Sequence, residues 1–231
     1  MSNVAFLFPG QGAQAVGMAQ QLIETAPEAK ALFDQASEVL GYNLAELCIS
    51  GPAETLNTTD HSQPAIFVAS LAALESLKNE NPELVSACSA TAGLSLGEYT
   101  ALVFAGVMSF EDGLRVVQER GLAMQAAAEL TQSGMVSVVG LETDQVEKVV
   151  AEVRQEGEIL QLANFLCPGN IVVSGHTEAC GRLEEPANAE GARMVMPLTV
   201  AGAFHTPLMQ PAVERLTAVL ENVTLHAPRI P

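Results

Sequence analysis

Between residues 133 and 198 the hydrophobic pattern changes period in a fixed order, and that order limits the fold more than any other feature of the chain. Met135–Gly140 reads as a strand, Thr143–Glu156 as a charged amphipathic helix, and Ile159–Ala163 as a second strand. Ile171–Ser174 is again strand-like, Thr177–Glu190 returns to helical spacing, and Arg193–Met196 closes with a strand. The order β-α-β-β-α-β is that of a ferredoxin-like unit. Pro186 falls inside its second helix and is expected to kink or shorten it, because proline lacks an N–H and its ring clashes with the preceding turn.

The flanking segments have a different texture. Val4–Phe8 is a short apolar run closed by Pro9-Gly10, as in a buried first strand. Pro27–Leu40 starts on proline and stops at Gly41, the usual asymmetry of helix ends. A long apolar helix is expected from Gln63 to about Lys78, a small-residue strand over Ser86–Ala92, and a helix over Leu96–Ala105 closed by Gly106. Ser109-Phe110-Glu111-Asp112 is a capping box that opens a helix running to about Leu130. The fold class is therefore α/β: a hydrolase-like α/β core over 1–132 and 199–231, carrying a ferredoxin-like α+β small domain inserted at 133–198.

Charge narrows the function. Against 27 acidic residues stand 10 Lys and Arg, a net −17, which excludes a general nucleic-acid binder and opposes docking on anionic lipid. Cys48, Cys88, Cys167 and Cys180 form no C-x-x-C pair and have no metal-like spacing with histidine, so reduced thiols and no metal are expected. The start has no basic region ahead of its apolar run, which with those thiols points to the cytoplasm. The longest stretch free of Asp, Glu, Lys and Arg, Met194–Val213, contains Pro197, Pro207, Pro211 and His205. It suits the wall of an active site better than a membrane span.

Gly93-Leu94-Ser95-Leu96-Gly97 is a G-x-S-x-G between a strand and a helix. Small flanking residues permit a strained turn that exposes the serine hydroxyl, and the Leu96 N–H is then aimed at a developing oxyanion. Serine needs a base. Of His61, His176, His205 and His226, the best candidate is His205, in the loop Ala201–Pro207. His176 reads as a capping or exposed residue, and His61 and His226 lie in polar segments expected to be exposed. No Asp or Glu stands just before His205, so a Ser–His dyad fits better than a triad. Pro9–Gln14 lacks both G-x-G-x-x-G and a P-loop lysine; a turn supplying a second oxyanion donor from Gln11 is chemically more coherent than nucleotide binding. Arg120, one of only seven arginines, is either a selector for a carboxylate-bearing substrate or a solvated helix residue paired with a nearby Glu.

Taken in order, Gly10-Gln11-Gly12-Ala13-Gln14, Gly93–Glu98, Gln118–Gln125 and Gly202–His205 resemble the malonyl-CoA:acyl carrier protein transacylases, acyltransferases of fatty-acid and polyketide synthesis. The likeness covers essentially the whole chain, insert included. It implies Ser95 as nucleophile, His205 as base, and Gln11 and Leu96 as oxyanion-hole N–H donors. Arg120 would bind the malonyl carboxylate, and Gln63 matches a position close to the site. Phe204 matches the malonyl-selective form, in which an aromatic ring crowds an α-methyl; such a wall discriminates by only about 1–3 kcal/mol. No metal and no bound cofactor are implied; malonyl-CoA and an acyl carrier protein are the partners, visited in ping-pong fashion, and a monomer is expected.

The sequence departs from the family pattern twice. Leu94 stands where the family usually has the His of G-H-S-x-G, which should alter packing rather than chemistry. Family members usually continue past the segment matching Asn222–Pro231 with a strand, helices and a glutamine near the nucleophile, so this chain is expected to be short at that end. A serine hydrolase or thioesterase, or an inactive fragment of the transferase, are the alternatives.

Overall fold

The computed structural model describes residues 4–231. Two compact units are present: residues up to Leu122 together with Leu216–Pro231, and Ala123–Arg215. The second is wider than the inserted 133–198 segment and takes in 199–215, so Phe204 and His205 belong to it and not to the unit that holds the elbow.

The first unit opens with β1 (Val4–Phe8) and four short or medium helices, α1 (Gln20–Thr25), α2 (Pro27–Leu40), α3 (Leu44–Ser50) and α4 (Ala53–Leu56). Then come α5 (Thr59–Glu80), α6 (Pro82–Ser86), β2 (Cys88–Gly93), α7 (Gly97–Phe104) and the first part of α8 (Phe110–Glu129). Helix α2 begins on Pro27 and ends where Gly41 turns left-handed at φ 79°, as its sequence predicts. α5 starts one turn earlier than the apolar run suggests and tolerates Pro64 in its second turn, where only the bond to the Asp60 carbonyl is forfeited. Ser109 Oγ accepts from the Asp112 N–H at 3.1 Å, which opens α8.

Strands β1 and β2 are parallel, with Phe8 beside Gly93. Both strands therefore end at the same edge, and the two loops that leave them, Pro9–Gln14 and the Ser95 elbow, start side by side. Open α/β sheets place their sites at this edge. The helices enclose the sheet through a core that includes the fully buried Phe33, Leu44, Leu56, Phe67 and Leu114. Each such side chain contributes about 1.5–3 kcal/mol by leaving water.

The second unit holds β3 (Ser133–Val139), α9 (Thr143–Val153), β4 (Leu160–Cys167), β5 (Asn170–His176), α10 (Thr177–Gly181), α11 (Glu184–Ala189) and β6 (Met194–Pro197). Its sheet is antiparallel in the order β4-β5-β3-β6, the ferredoxin-like arrangement read from the hydrophobic pattern. The expected second helix is broken into α10 and α11 at Arg182–Leu183, with Pro186 in the first turn of α11, where its missing N–H is harmless. Val138, Val149, Leu160, Val173 and Leu183 fill the space between sheet and helices. A 3₁₀ turn, Pro207–Met209, leads into α12 (Gln210–Leu220). Among the described residues no helix is long and apolar enough to cross a membrane.

Candidate active site

Ser95 adopts φ 51°, a left-handed conformation that costs a non-glycine residue about 1–2 kcal/mol. The glycines around it are required by space rather than by flexibility. A Cβ on Gly93 would lie 1.9 Å from the Gly97 carbonyl carbon, and one on Gly97 would lie 2.2 Å from the Phe8 oxygen. Gly10 is equally confined, since its Cβ would stand 2.6 Å from the Leu94 oxygen. The Leu94 N–H donates to the Phe8 oxygen at 3.2 Å, and the Gly97 N–H to the Leu94 oxygen at 3.0 Å. Elbow and first loop are thus one packed piece of backbone, from which the Leu94 side chain projects 45% exposed.

Leu96 caps α7 with its own side chain fully buried. Among the described residues neither the Leu96 N–H nor the Gln11 N–H is engaged in a hydrogen bond. The Leu96 amide, left open at the N-terminus of α7, suits an anion, and the Gln11 amide is left open in the turn after β1. The Gln11 side chain is held by the Thr59 hydroxyl, its Nε2 donating at 3.4 Å.

Arg120 stands beside the elbow in the same unit. It is 8% exposed; its Nη1 donates to Gln63 Oε1 at 2.6 Å and its Nη2 to Ser95 Oγ at 2.8 Å. Its guanidinium carbon lies 5.3 Å from the centre of the Tyr99 ring, a cation–π distance. Among the described residues no carboxylate forms an ion pair with it, so the alternative of a solvated, Glu-paired arginine is ruled out. Burial pushes its pKa below the usual arginine value, while Tyr99 and Glu98 oppose that shift. The sequence places it there through Gly121: a Cβ on that residue would stand 2.9 Å from both the Asp60 Cα and the Thr59 oxygen. Only glycine lets α8 approach α5 this closely, and the approach brings Arg120 onto the fully buried Gln63.

His205, in the second unit, also has a left-handed backbone, φ 60°, and its side chain is exposed. Its loop is tied down at three points. The Ala203 N–H donates to Ser133 Oγ at 3.0 Å, the Thr206 hydroxyl to the Ala203 oxygen at 2.8 Å, and the Gln161 Nε2 to the His205 oxygen at 3.1 Å. Phe204 is buried with Met124, Ala128, Met135 and Val172. Gly202 has Ala128 Cβ only 2.7 Å from where its own Cβ would be.

The other histidines have local employment. His61 is half-buried, not exposed as its polar surroundings suggest, because Tyr42 packs on its ring at 5.0 Å. Its Nδ1 lies 2.9 Å from Thr58 Oγ1 and 3.1 Å from Asp60 Oδ1. His176 Nδ1 accepts from the Ile159 N–H at 2.9 Å, and His226 is exposed, its backbone N–H bonded to Val107. Tyr99, Thr59, Gln161 and Ser133 escaped the sequence reading, since each acts through a neighbour that is distant in sequence. No metal-binding cluster and no disulfide occurs among the described residues.

Residues 5–231 match the acyl transferase domain family. The malonyl-CoA-acyl carrier protein transacylase of Bacillus subtilis is 42% identical over 233 residues, an alignment that spans this whole chain and 72% of the relative. The human mitochondrial enzyme of that name is 45% identical over 231 residues, covering 97% of this chain and 59% of the relative. Among solved structures, a malonyl-transacylase in complex with its type II PKS acyl carrier protein superposes with a TM-score of 0.93 at 39% identity, over 100% of this chain and 73% of that one. The transacylase of Coxiella burnetii gives 0.93 at 36%, over 99% and 71%. Matched along its length both in sequence and in fold, this chain belongs to the acyl transferase domain family and, within it, to the malonyl-CoA-acyl carrier protein transacylases.

Proposed function

We propose that this chain moves a malonyl group from coenzyme A to the phosphopantetheine thiol of an acyl carrier protein through a malonyl-Ser95 ester. The Ser95 hydroxyl adds to the thioester carbonyl while His205 takes its proton, and the N–H groups of Gln11 and Leu96 receive the oxyanion. Collapse expels the coenzyme A thiolate, which leaves with the proton from His205. The carrier thiol then attacks the ester along the same path in reverse. Arg120 holds the malonyl carboxylate throughout, and Phe204 crowds the position an α-methyl would take. No metal or bound cofactor enters, and we place the reaction in the cytoplasm on a monomeric chain, in the supply of malonyl units for fatty-acid or polyketide synthesis.

The observation that carries this reading is a buried arginine with no carboxylate partner whose Nη2 donates to the nucleophile. A buried cation without an anion awaits one. Intact-mass measurement after incubation with malonyl-CoA should show one added malonyl group, lost in Ser95→Ala and kept in Ser89→Ala. An adduct that persists in Ser95→Ala overturns the assignment. Rapid release of free malonate without a thiol acceptor would instead mark a hydrolase.

A further inference from the structure

We infer that Gln161 is a positioning residue for the catalytic base: its side-chain amide holds the His205 peptide in the left-handed conformation from which the imidazole is presented. The inference rests on the reading of His205 as base.

His205 is one of three non-glycine residues among those described with positive φ, and Ser95 is another. Left-handed backbone at a residue with a Cβ persists only when its surroundings hold it. Two further tethers bracket the histidine: Ser133 holds the Ala203 N–H ahead of it, and the hydroxyl of Thr206, behind it, donates back to the Ala203 oxygen. Phe204 is fixed by burial. None of these bonds engages the carbonyl of the peptide that follows His205, and the direction of that carbonyl is set by the ψ angle of the histidine itself. The carbonyl of that peptide accepts from Gln161 Nε2 at 3.1 Å, 44 positions away in sequence. Gln161 is well placed for this because its backbone, on the edge strand β4, is paired with Ser174 of β5. A side chain rooted in a sheet is a stiffer post than one in a loop.

The bond requires a donor. Glu has the same length but no N–H at pH 8 and would set a carboxylate against a carbonyl oxygen. Arg reaches at least as far and donates. If the bond holds the base, losing it lets the loop relax, and the competent conformer is depopulated by about fivefold to thirtyfold. The inference gives Gln161 no contact with substrate, so KM for malonyl-CoA should stay within about twofold.

The test compares wild type with Gln161→Glu, Gln161→Ala, Gln161→Arg and His205→Ala in malonyl transfer to a carrier protein, with Tm recorded for each. Expected are a kcat fall of about fivefold to thirtyfold in Gln161→Glu and Gln161→Ala with KM and Tm held, and recovery to within about threefold of wild type in Gln161→Arg. An unchanged kcat in Gln161→Glu overturns the inference. So does a loss that follows Tm down and is not restored by arginine, since that describes a merely structural contact. His205→Ala reports on the underlying reading by itself: full activity there removes His205 as base whatever Gln161 does.

Discussion

Arg120 is the residue proposed to select the acyl group. Burial disfavours its charge, and Gln63, Tyr99 and Ser95 surround the guanidinium with an acceptor, a π-face and a hydroxyl, while Glu98 supports the charge without forming an ion pair. In the proposed role this desolvated cation, which has no ion-paired carboxylate among the described residues, would grip the substrate carboxylate with two parallel charge-assisted bonds. Lysine cannot copy the fork. Removing one partner of a buried charge pair costs about 2–5 kcal/mol, or roughly 30-fold to several thousandfold. Arg120→Ala should therefore lose malonyl transfer by about that factor while acetyl transfer holds or rises, with Arg120→Lys between. The check is kcat/KM for malonyl-CoA and acetyl-CoA in each protein; an unchanged ratio would remove Arg120 as the selector.

Among elements, the contact of α5 with α8 does for Arg120 what the β1–β2 edge does for Ser95. Gly121 has Asp60 Cα and the Thr59 oxygen 2.9 Å from its missing Cβ, and neither is a flexible side-chain end that could yield. Gly121→Ala must push the two helices apart, which costs about 1–3 kcal/mol in stability and draws Arg120 off Gln63. Expected are a lower Tm and a lower malonyl-to-acetyl ratio together, whereas alanine at the open Gly181 should change neither. A normal ratio in Gly121→Ala would show that the spacing of these helices does not set the selector. Helix contacts of this kind explain which parts of the molecule could be read in advance. The ferredoxin-like order, Pro27–Leu40 and the Ser95 elbow announce themselves through periodicity, caps and spacing within a few residues. Helices α1, α3, α4 and α6 are too short for a period to emerge, and their existence follows from packing. Ser95, Gln63 and Arg120 were identifiable, but the pairing that joins them runs between α5, the elbow and α8. Gln161 and Ser133 were invisible for the same reason.

At the scale of the whole molecule the governing quantity is charge. The chain carries a net −17, and its proposed acyl donor bears several phosphates. Opposed fields slow encounter, and salt relieves them because the Debye length shrinks from about 30 Å at 0.01 M to about 8 Å at 0.15 M. Arg120 does not counter this at a distance, since a single buried cation is felt only after the ligand has entered. Six of the ten cations are spread over exposed or partly exposed ion pairs or carbonyl contacts: Lys30 with Asp34, Lys78 with Glu75, Arg115 with Asp112, Lys148 with Glu190, Arg182 with Glu158, and Arg229 with the Phe104 carbonyl. Pairing of this kind leaves little free positive charge to steer a phosphate-bearing ligand inward. The second-order acylation rate with malonyl-CoA should therefore rise as ionic strength goes from about 0.01 to 0.15 M, the reverse of a steered encounter. Stopped-flow acylation at low substrate across that range decides between them. A rate that falls with salt would mean that a local basic track outweighs the global charge. Neutralising one exposed cation at a time, starting with Arg154→Gln and Arg193→Gln, would then locate it.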